Sequence, residues 1–165
     1  MKKPGMNKAN EGATAKLTLN DLRGEWFVVM SNFPMWLKGD KLCPRFNYDI
    51  EIQKNIIGLK DEVGYIEKNR YKIIKGFDKP LNVLNTEFEW RGEGLLKLIT
   101  SRWEIVNYDT VGKNWMIIQF KSTLFTPAGI DIISRTPTIP PLKLQLITQL
   151  VPPQKKALQL IPQSL

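Results

Sequence analysis

Short runs in which apolar and polar residues alternate dominate the chain, and a period of two fits strands rather than helices. Phe46, Tyr48, Ile50 and Ile52 alternate with Asn47, Asp49 and Glu51, giving one apolar and one wet face. Phe88 and Trp90 alternate with Glu87 and Glu89 in the same way. Three other runs are apolar on both faces: Trp26 to Met30, Trp115 to Ile118 and Ile130 to Ile133. Such strands need cover on each side, across a barrel interior or beneath a helix.

Turn signals separate the runs at Lys54-Asn55, Gly64, Lys79-Pro80, Arg91 to Gly94, Val111 to Asn114 and Thr126 to Gly129. The spacing predicts about eight strands, near 25–33, 44–53, 57–65, 69–77, 85–91, 95–106, 114–122 and 129–135. Many short strands with hairpin spacing imply an antiparallel sandwich or a closed barrel. A barrel of eight such strands is solid or just wide enough for one small ligand.

Two helical stretches stand out. Thr18 to Arg23 is a short one, with Thr18 or Asn20 as its cap. The other starts after Thr138, with Pro140 and Pro141 in its first turn, and stops at Pro152-Pro153. Leu142, Leu146 and Leu150, with Ile147 and Val151, form an apolar stripe expected to pack on the outside of the sheet.

Composition removes much chemistry. The 165 residues fit one domain and contain no histidine, which excludes Ser-His-Asp and Cys-His nucleophile systems and the commonest zinc ligand. One cysteine, Cys43, permits no intramolecular disulfide; without an imidazole partner it is expected as a buried or edge thiol. No phosphate-cradling glycine loop occurs. Of the net charge of +8, three charges fall in residues 1–16 and two beyond Pro152. The charge thus reads as solubilising ends, with at most a weak attraction to membrane surfaces, and nucleic acid is not an expected partner. The expected organisation is a loose basic arm over 1–16, a folded unit over 17–151 and a loose tail over 152–165. A positive start with no apolar stretch after it, and no run of 18 apolar residues, give a cytoplasmic expectation.

Three motifs carry a resemblance to the lipocalins, nearest to their bacterial and apolipoprotein-D-like branch. Gly24-Glu25-Trp26, preceded by Leu22-Arg23, resembles the family's G-x-W segment after a short 3-10 helix. Asn107-Tyr108-Asp109, followed by Asn114-Trp115, is similar to its T-D-Y-like loop, without the threonine. Ser134-Arg135-Thr136-Pro137, after Ile130 to Ile133, resembles the end of the last barrel strand. The resemblance spans roughly residues 17 to 151. It implies an eight-stranded antiparallel up-and-down barrel with a short N-terminal 3-10 helix and a C-terminal α-helix.

In such a barrel Gly24, Trp26 and Arg135 are structural, with Arg135 stacked on Trp26 to plug one end. The implied role is non-covalent binding and transport or storage of a small hydrophobic ligand, such as a fatty acid, lysolipid, retinoid or pigment. With Trp26 inward, parity places Val28 and Met30 inward as well, and the expected lining adds Tyr48, Ile50, Phe88, Trp90 and Trp103. No catalytic residue, cofactor or metal is expected. Two alternatives stand beside the carrier. One is an enzyme acting on a lipid or pigment through a buried carboxylate. A weaker resemblance to violaxanthin de-epoxidase-like lipocalins, in Cys43-Pro44 to Tyr48-Asp49, raises that reading and needs Asp131 or Asp49 turned inward. The carboxylate pairs Asp49/Glu51 and Glu87/Glu89 are expected to be solvated. The other alternative is a module that binds a protein or a membrane surface.

Overall fold

The structure is a computed structural model and describes residues 16–124 and 126–163. Its strands are β1 (Gly24–Ser31), β2 (Leu42–Gln53), β3 (Ile56–Glu67), β4 (Arg70–Pro80), β5 (Glu87–Gly92), β6 (Thr100–Tyr108), β7 (Trp115–Phe120), β8 (Gly129–Ser134) and β9 (Gln159–Leu160). Three short helices are α1 (Leu19–Leu22), α2 (Pro34–Leu37) and α3 (Pro141–Thr148), and a 3-10 turn occupies Gly94–Leu96. Strands β2 to β8 follow one another in antiparallel order, and β1 pairs with both β8 and β2. That double pairing closes an eight-stranded up-and-down barrel. The sixth strand begins at Thr100 rather than near 95, because Glu93 and Gly94 receive amide bonds from Leu96 and Lys97 and coil that stretch into the 3-10 turn.

One end is sealed by the two termini of the barrel sequence. Thr18 caps α1 in a reciprocal box with Asp21, which aims the chain across the barrel floor. Trp26 is fully buried there and its indole N–H donates to Leu22 O at 2.8 Å. The Arg135 guanidinium lies 3.6 Å from the Trp26 ring centre and donates to Asp21 O at 2.8 Å and Glu25 O at 3.1 Å. Gly24 adopts φ +93°, and a Cβ there would stand 3.2 Å from Arg135 Nη1, so glycine suits this corner twice over. Nearby, Asp109 accepts from the amides of Val111, Gly112 and Asn114 and ties the β6–β7 turn.

Strand β1 changes face midway. Its register against β8 slips between Val28 and Met30, so one residue is inserted into the period of two. Trp26 and Val28 face the interior, but Val29 and Met30 both face outward, and Ser31 returns inside. The parity expectation for Met30 is therefore overturned by a bulge. Outside the barrel, Val29, Ile117, Ile130 and Ile132 form a second apolar cluster that Ile147 of α3 covers. The helix stripe is rotated from its expected position. Leu144 and Ile147 face the sheet, while Leu142, Leu146 and Leu150 are exposed at 78%, 63% and 49%.

The segment after Pro152 is docked, contrary to the loose tail expected. Strand β9 pairs with Met30 and Ser31 on the side of β1 that β2 has left, Ile161 is buried, and its amide bonds Val29 O at 3.0 Å. Gln163 Nε2 then donates to Val28 O at 2.6 Å, and Asn32 Nδ2 to Lys156 O at 3.0 Å. The reason lies in the outer half of β1: β2 pairs only with Gly24 to Phe27, and the C-terminal segment supplies the donors for Val28 O and Val29 O beyond it. Of the basic arm, residues 1–15 lie outside the described residues. No helix among the described residues is long and apolar enough to cross a membrane.

Candidate ligand-binding site

The end opposite Trp26 is roofed only in part, by α2 and two loops. Phe33 and Pro34 start α2, and the helix drops Trp36 into the barrel, where its ring meets Tyr65 edge-on at 6.0 Å. Below it lies a cavity of about 250 Å³, reaching toward the small end of the range for ligand pockets. Its walls come from α2 (Met35, Trp36), β2 (Phe46, Tyr48), β3 (Asp61, Val63), β4 (Ile74), β5 (Trp90), β6 (Ser101, Trp103), β7 (Phe120) and β8 (Asp131). Leu96 and Ile99 of the β5–β6 connection, and Thr123 and Thr126 after β7, complete the rim.

An aromatic row crosses the interior. Phe120, Phe46, Tyr48, Trp103 and Phe88 follow one another with ring centres 6.3, 6.0, 6.0 and 4.5 Å apart, all nearly parallel. Trp90 fits because its cross-strand neighbourhood includes Gly76: a Cβ there would stand 2.1 Å from the indole nitrogen.

Three carboxyl groups break this apolar surface. Asp131 on β8 and Asp61 on β3 line the cavity, and Asp78 on β4 lies beside Asp61; their exposures are 1%, 4% and 0%. Ser31, the cross-strand partner of Asp131, donates its hydroxyl to Asp131 Oδ1. Trp103 Nε1 donates to Asp78 Oδ1 at 2.7 Å. Asp131 Oδ2 is buried with no strong donor on it, whereas the buried Asp61 and Asp78 carboxyls hydrogen-bond to each other. Burial pushes the Asp131 carboxyl up to about 7, against the opposing hydrogen bonds of Ser31 and, more weakly, Trp36. Burial, reinforced by the charge and the hydrogen bond of Asp78, holds Asp61 well above the usual carboxylate range, and burial raises Asp78 to about 7 against the opposing hydrogen bonds of Trp103 and Asp61. Tyr48 stands directly across from Asp61 in the β2–β3 register; burial raises its phenol, and the charges of Asp61, Asp78 and Asp131 add to that. Among the described residues, no lysine or arginine lines the cavity.

The expected lining residues divide accordingly. Tyr48, Trp90 and Trp103 line the cavity. Val28 and Phe88 are buried in the interior core beneath it without reaching its surface. Met30 faces α3's side of the sheet, for the reason given above. Ile50 is 40% exposed: its parity follows Tyr48, but β2 runs on past the barrel floor there. Asp49 ion-pairs with Arg23 at 2.9 Å on the surface, and Glu89 with Arg102 at 3.6 Å, so neither turns inward. Cys43 is buried and unpaired, at a φ of +50° where β2 slips register against β3. Among the described residues no three potential ligands are grouped to hold a metal ion.

Asp61 and Asp78 escape a reading for apolar faces, although parity exposes them. Leu59, Asp61, Val63 and Tyr65 share one face of β3, and Ile74, Gly76 and Asp78 one face of β4. A lone acid in an apolar register was the available signal. The roof had none, since α2 is four residues long and shows no periodicity.

No protein-family model and no curated protein matches the sequence. Solved structures do match the fold. Lobster apocrustacyanin A1 superposes with a TM-score of 0.62 at 14% identity, over 88% of this chain and 79% of that one. The siderocalin Ex-FABP, described as having dual ligand specificities, gives 0.62 and 14% over 88% of this chain and 96% of its own. A biogenic amine-binding protein gives 0.60 at 10%, over 82% and 75%. The neighbours are lipocalins, and the chain shares their barrel.

Proposed function

We propose that this protein binds a small hydrophobic molecule non-covalently in the barrel cavity and carries or stores it. The observation behind this is an aromatic cavity sealed at one end by Trp26 and Arg135 and roofed only partly at the other. An apolar molecule gains about 25 cal/mol per Å² on leaving water for such walls. The solved neighbours whose titles name ligands or ligand specificities add support by analogy of fold. Acyl chains of fatty acids or lysolipids suit the walls, but an ionised fatty-acid head would meet Asp61 and Asp131 with no lysine or arginine among the described lining residues to balance it. The G-x-W and S-R-T-P motifs support a place in the bacterial and apolipoprotein-D-like branch of the lipocalins. Native mass spectrometry of the purified protein tests the carrier reading. A co-purifying small molecule released by organic solvent supports it; an empty protein that also fails to take up any apolar fluorescent probe overturns it.

The same reading puts the protein in the cytoplasm, supported by its single unpaired cysteine. The basic residues near the start support a weak contact with anionic membranes, and liposome flotation with and without residues 1–16 tests it.

One observation favours a second reading. Asp131, inside the cavity and shifted to about 7, has the protonation behaviour of a general acid acting on a bound lipid or pigment. Turnover of bound ligand that is abolished in Asp131→Asn, with binding kept, would establish that reading over simple carriage.

A further inference from the structure

Asp131 and Asp61 line one apolar cavity with Asp78 behind Asp61, and no lysine or arginine among the described residues lines it. Burying an acid this way costs stability unless something pairs with it. A group kept for packing alone could be replaced by an apolar residue of similar size. The orientation of these acids also matters. Ser31 donates to Asp131 Oδ1, while Asp131 Oδ2 is buried on the cavity wall with no strong donor on it. Asp61, directly across from Tyr48, and Asp78 instead hydrogen-bond to each other, and Trp103 donates to Asp78.

We infer that the cavity is selective for hydrophobic amines: a protonated nitrogen pairs with Asp131 while the apolar remainder lies against the aromatic row. This rests on the carrier reading and names the chemical class of its ligand. The missing partner is a compact cation with several donors, and an ammonium group supplies three N–H bonds to carboxylate oxygens. The rings of Tyr48, Trp103 and Trp90 line the same cavity, and aromatic rings attract a cation. Size agrees, since about 250 Å³ accommodates an aromatic ring on a short chain rather than a long lipid. Proton balance is simple. A carboxyl group that is protonated in the empty cavity releases its proton to solvent when the ammonium ion arrives, and no bond in the ligand changes.

The test compares phenethylamine, phenethyl alcohol and phenylacetate, which share a ring and a short chain, by calorimetry on the full chain near neutral pH. Preference for the amine by at least about tenfold over the alcohol, with phenylacetate weakest, is the expected result. The amine's heat should also vary with the ionisation enthalpy of the buffer, showing proton release. Asp131→Asn keeps side-chain shape and should lose most of the amine's advantage over the alcohol. Equal binding of alcohol and amine, or a preference for the amine unchanged in Asp131→Asn, overturns the inference and leaves the carrier reading standing. If none of the three binds and no apolar fluorescent probe enters either, the carrier reading falls with it. Circular dichroism of the variant confirms that a lost preference is not a lost fold.

Discussion

Arg135 and Trp26 come from opposite ends of the barrel sequence, and the guanidinium lies flat over the indole at 3.6 Å. The same guanidinium ties Asp21 O and Glu25 O, so one side chain joins α1, β1 and the end of β8. The contact is half-buried, which strengthens it relative to an exposed cation–π pair.

Replacing Arg135 by alanine therefore removes a stacking partner and two backbone bonds together. The expected loss is about 2–3 kcal/mol in urea denaturation. Arg135→Lys should recover little of it, because an ammonium cannot lie flat on the ring and reach both carbonyls. Full stability in the lysine variant would show that charge alone suffices.

Asp131 gives stability an unusual dependence on pH. Its pKa is about 7 in the folded chain against an ordinary 3.8, so between these values the folded state holds a proton that the unfolded state has lost. Its contribution is then intact below about pH 4 and declines as pH rises toward 7, by up to about 4 kcal/mol. Asp61 and Asp78 shift in the same direction, and Tyr48 is the other titratable group facing them. Asp131→Asn should flatten the profile and be more stable than the parent at about pH 8. Denaturant midpoints measured from about pH 4 to 8 decide it.

Gly76→Ala places a methyl where the Trp90 indole nitrogen now sits, 2.1 Å from the new carbon. Trp90 must turn into the cavity or β4 and β5 must part. The expected cost is about 1–3 kcal/mol. A changed tryptophan emission and weaker uptake of an apolar probe should accompany it, whereas an unaltered cavity would mean that β4 gives way freely.

Ending the chain at Leu158 removes β9, Ile161 and the Gln163 bond to Val28 O. It strips backbone partners from the outer half of β1 and uncovers an apolar patch. A drop of about 1–3 kcal/mol and faster hydrogen exchange at Val29 and Met30 are expected. Exchange that stays slow at those amides would assign their protection to β8 alone.

Much of the barrel was legible because alternation, turn residues and two motifs agreed. Trp26 and Arg135 could be paired from sequence since each sits at a strand end fixed by its motif. Met30 could not, because a single inserted residue in β1 reverses parity and nothing in Val28-Val29-Met30 marks it. Ile50 follows the right face of β2 but lies beyond the volume that the strands enclose, and alternation carries no information about where an enclosure ends. Asp61, Asp78 and Asp131 were hidden by the ordinary rule that acids face water; among the described residues they are the buried acids, at or behind the cavity wall. The docked C-terminal segment was obscured by its prolines, lysines and glutamines, a composition common in unstructured ends.

Strand β1 is bonded to β8, reached by Ser31 to Asp131 across 100 positions, and then to Gln163 across 135. A ribosome releases the first strand long before its neighbours on that side exist. Until residues near 130 and then 160 emerge, the nascent ribbon offers open hydrogen-bonding edges and greasy side chains to anything nearby. The last step of assembly is thus a zipper closed by late-synthesised chain, and slow translation past β7 should extend the interval in which this protein depends on chaperones.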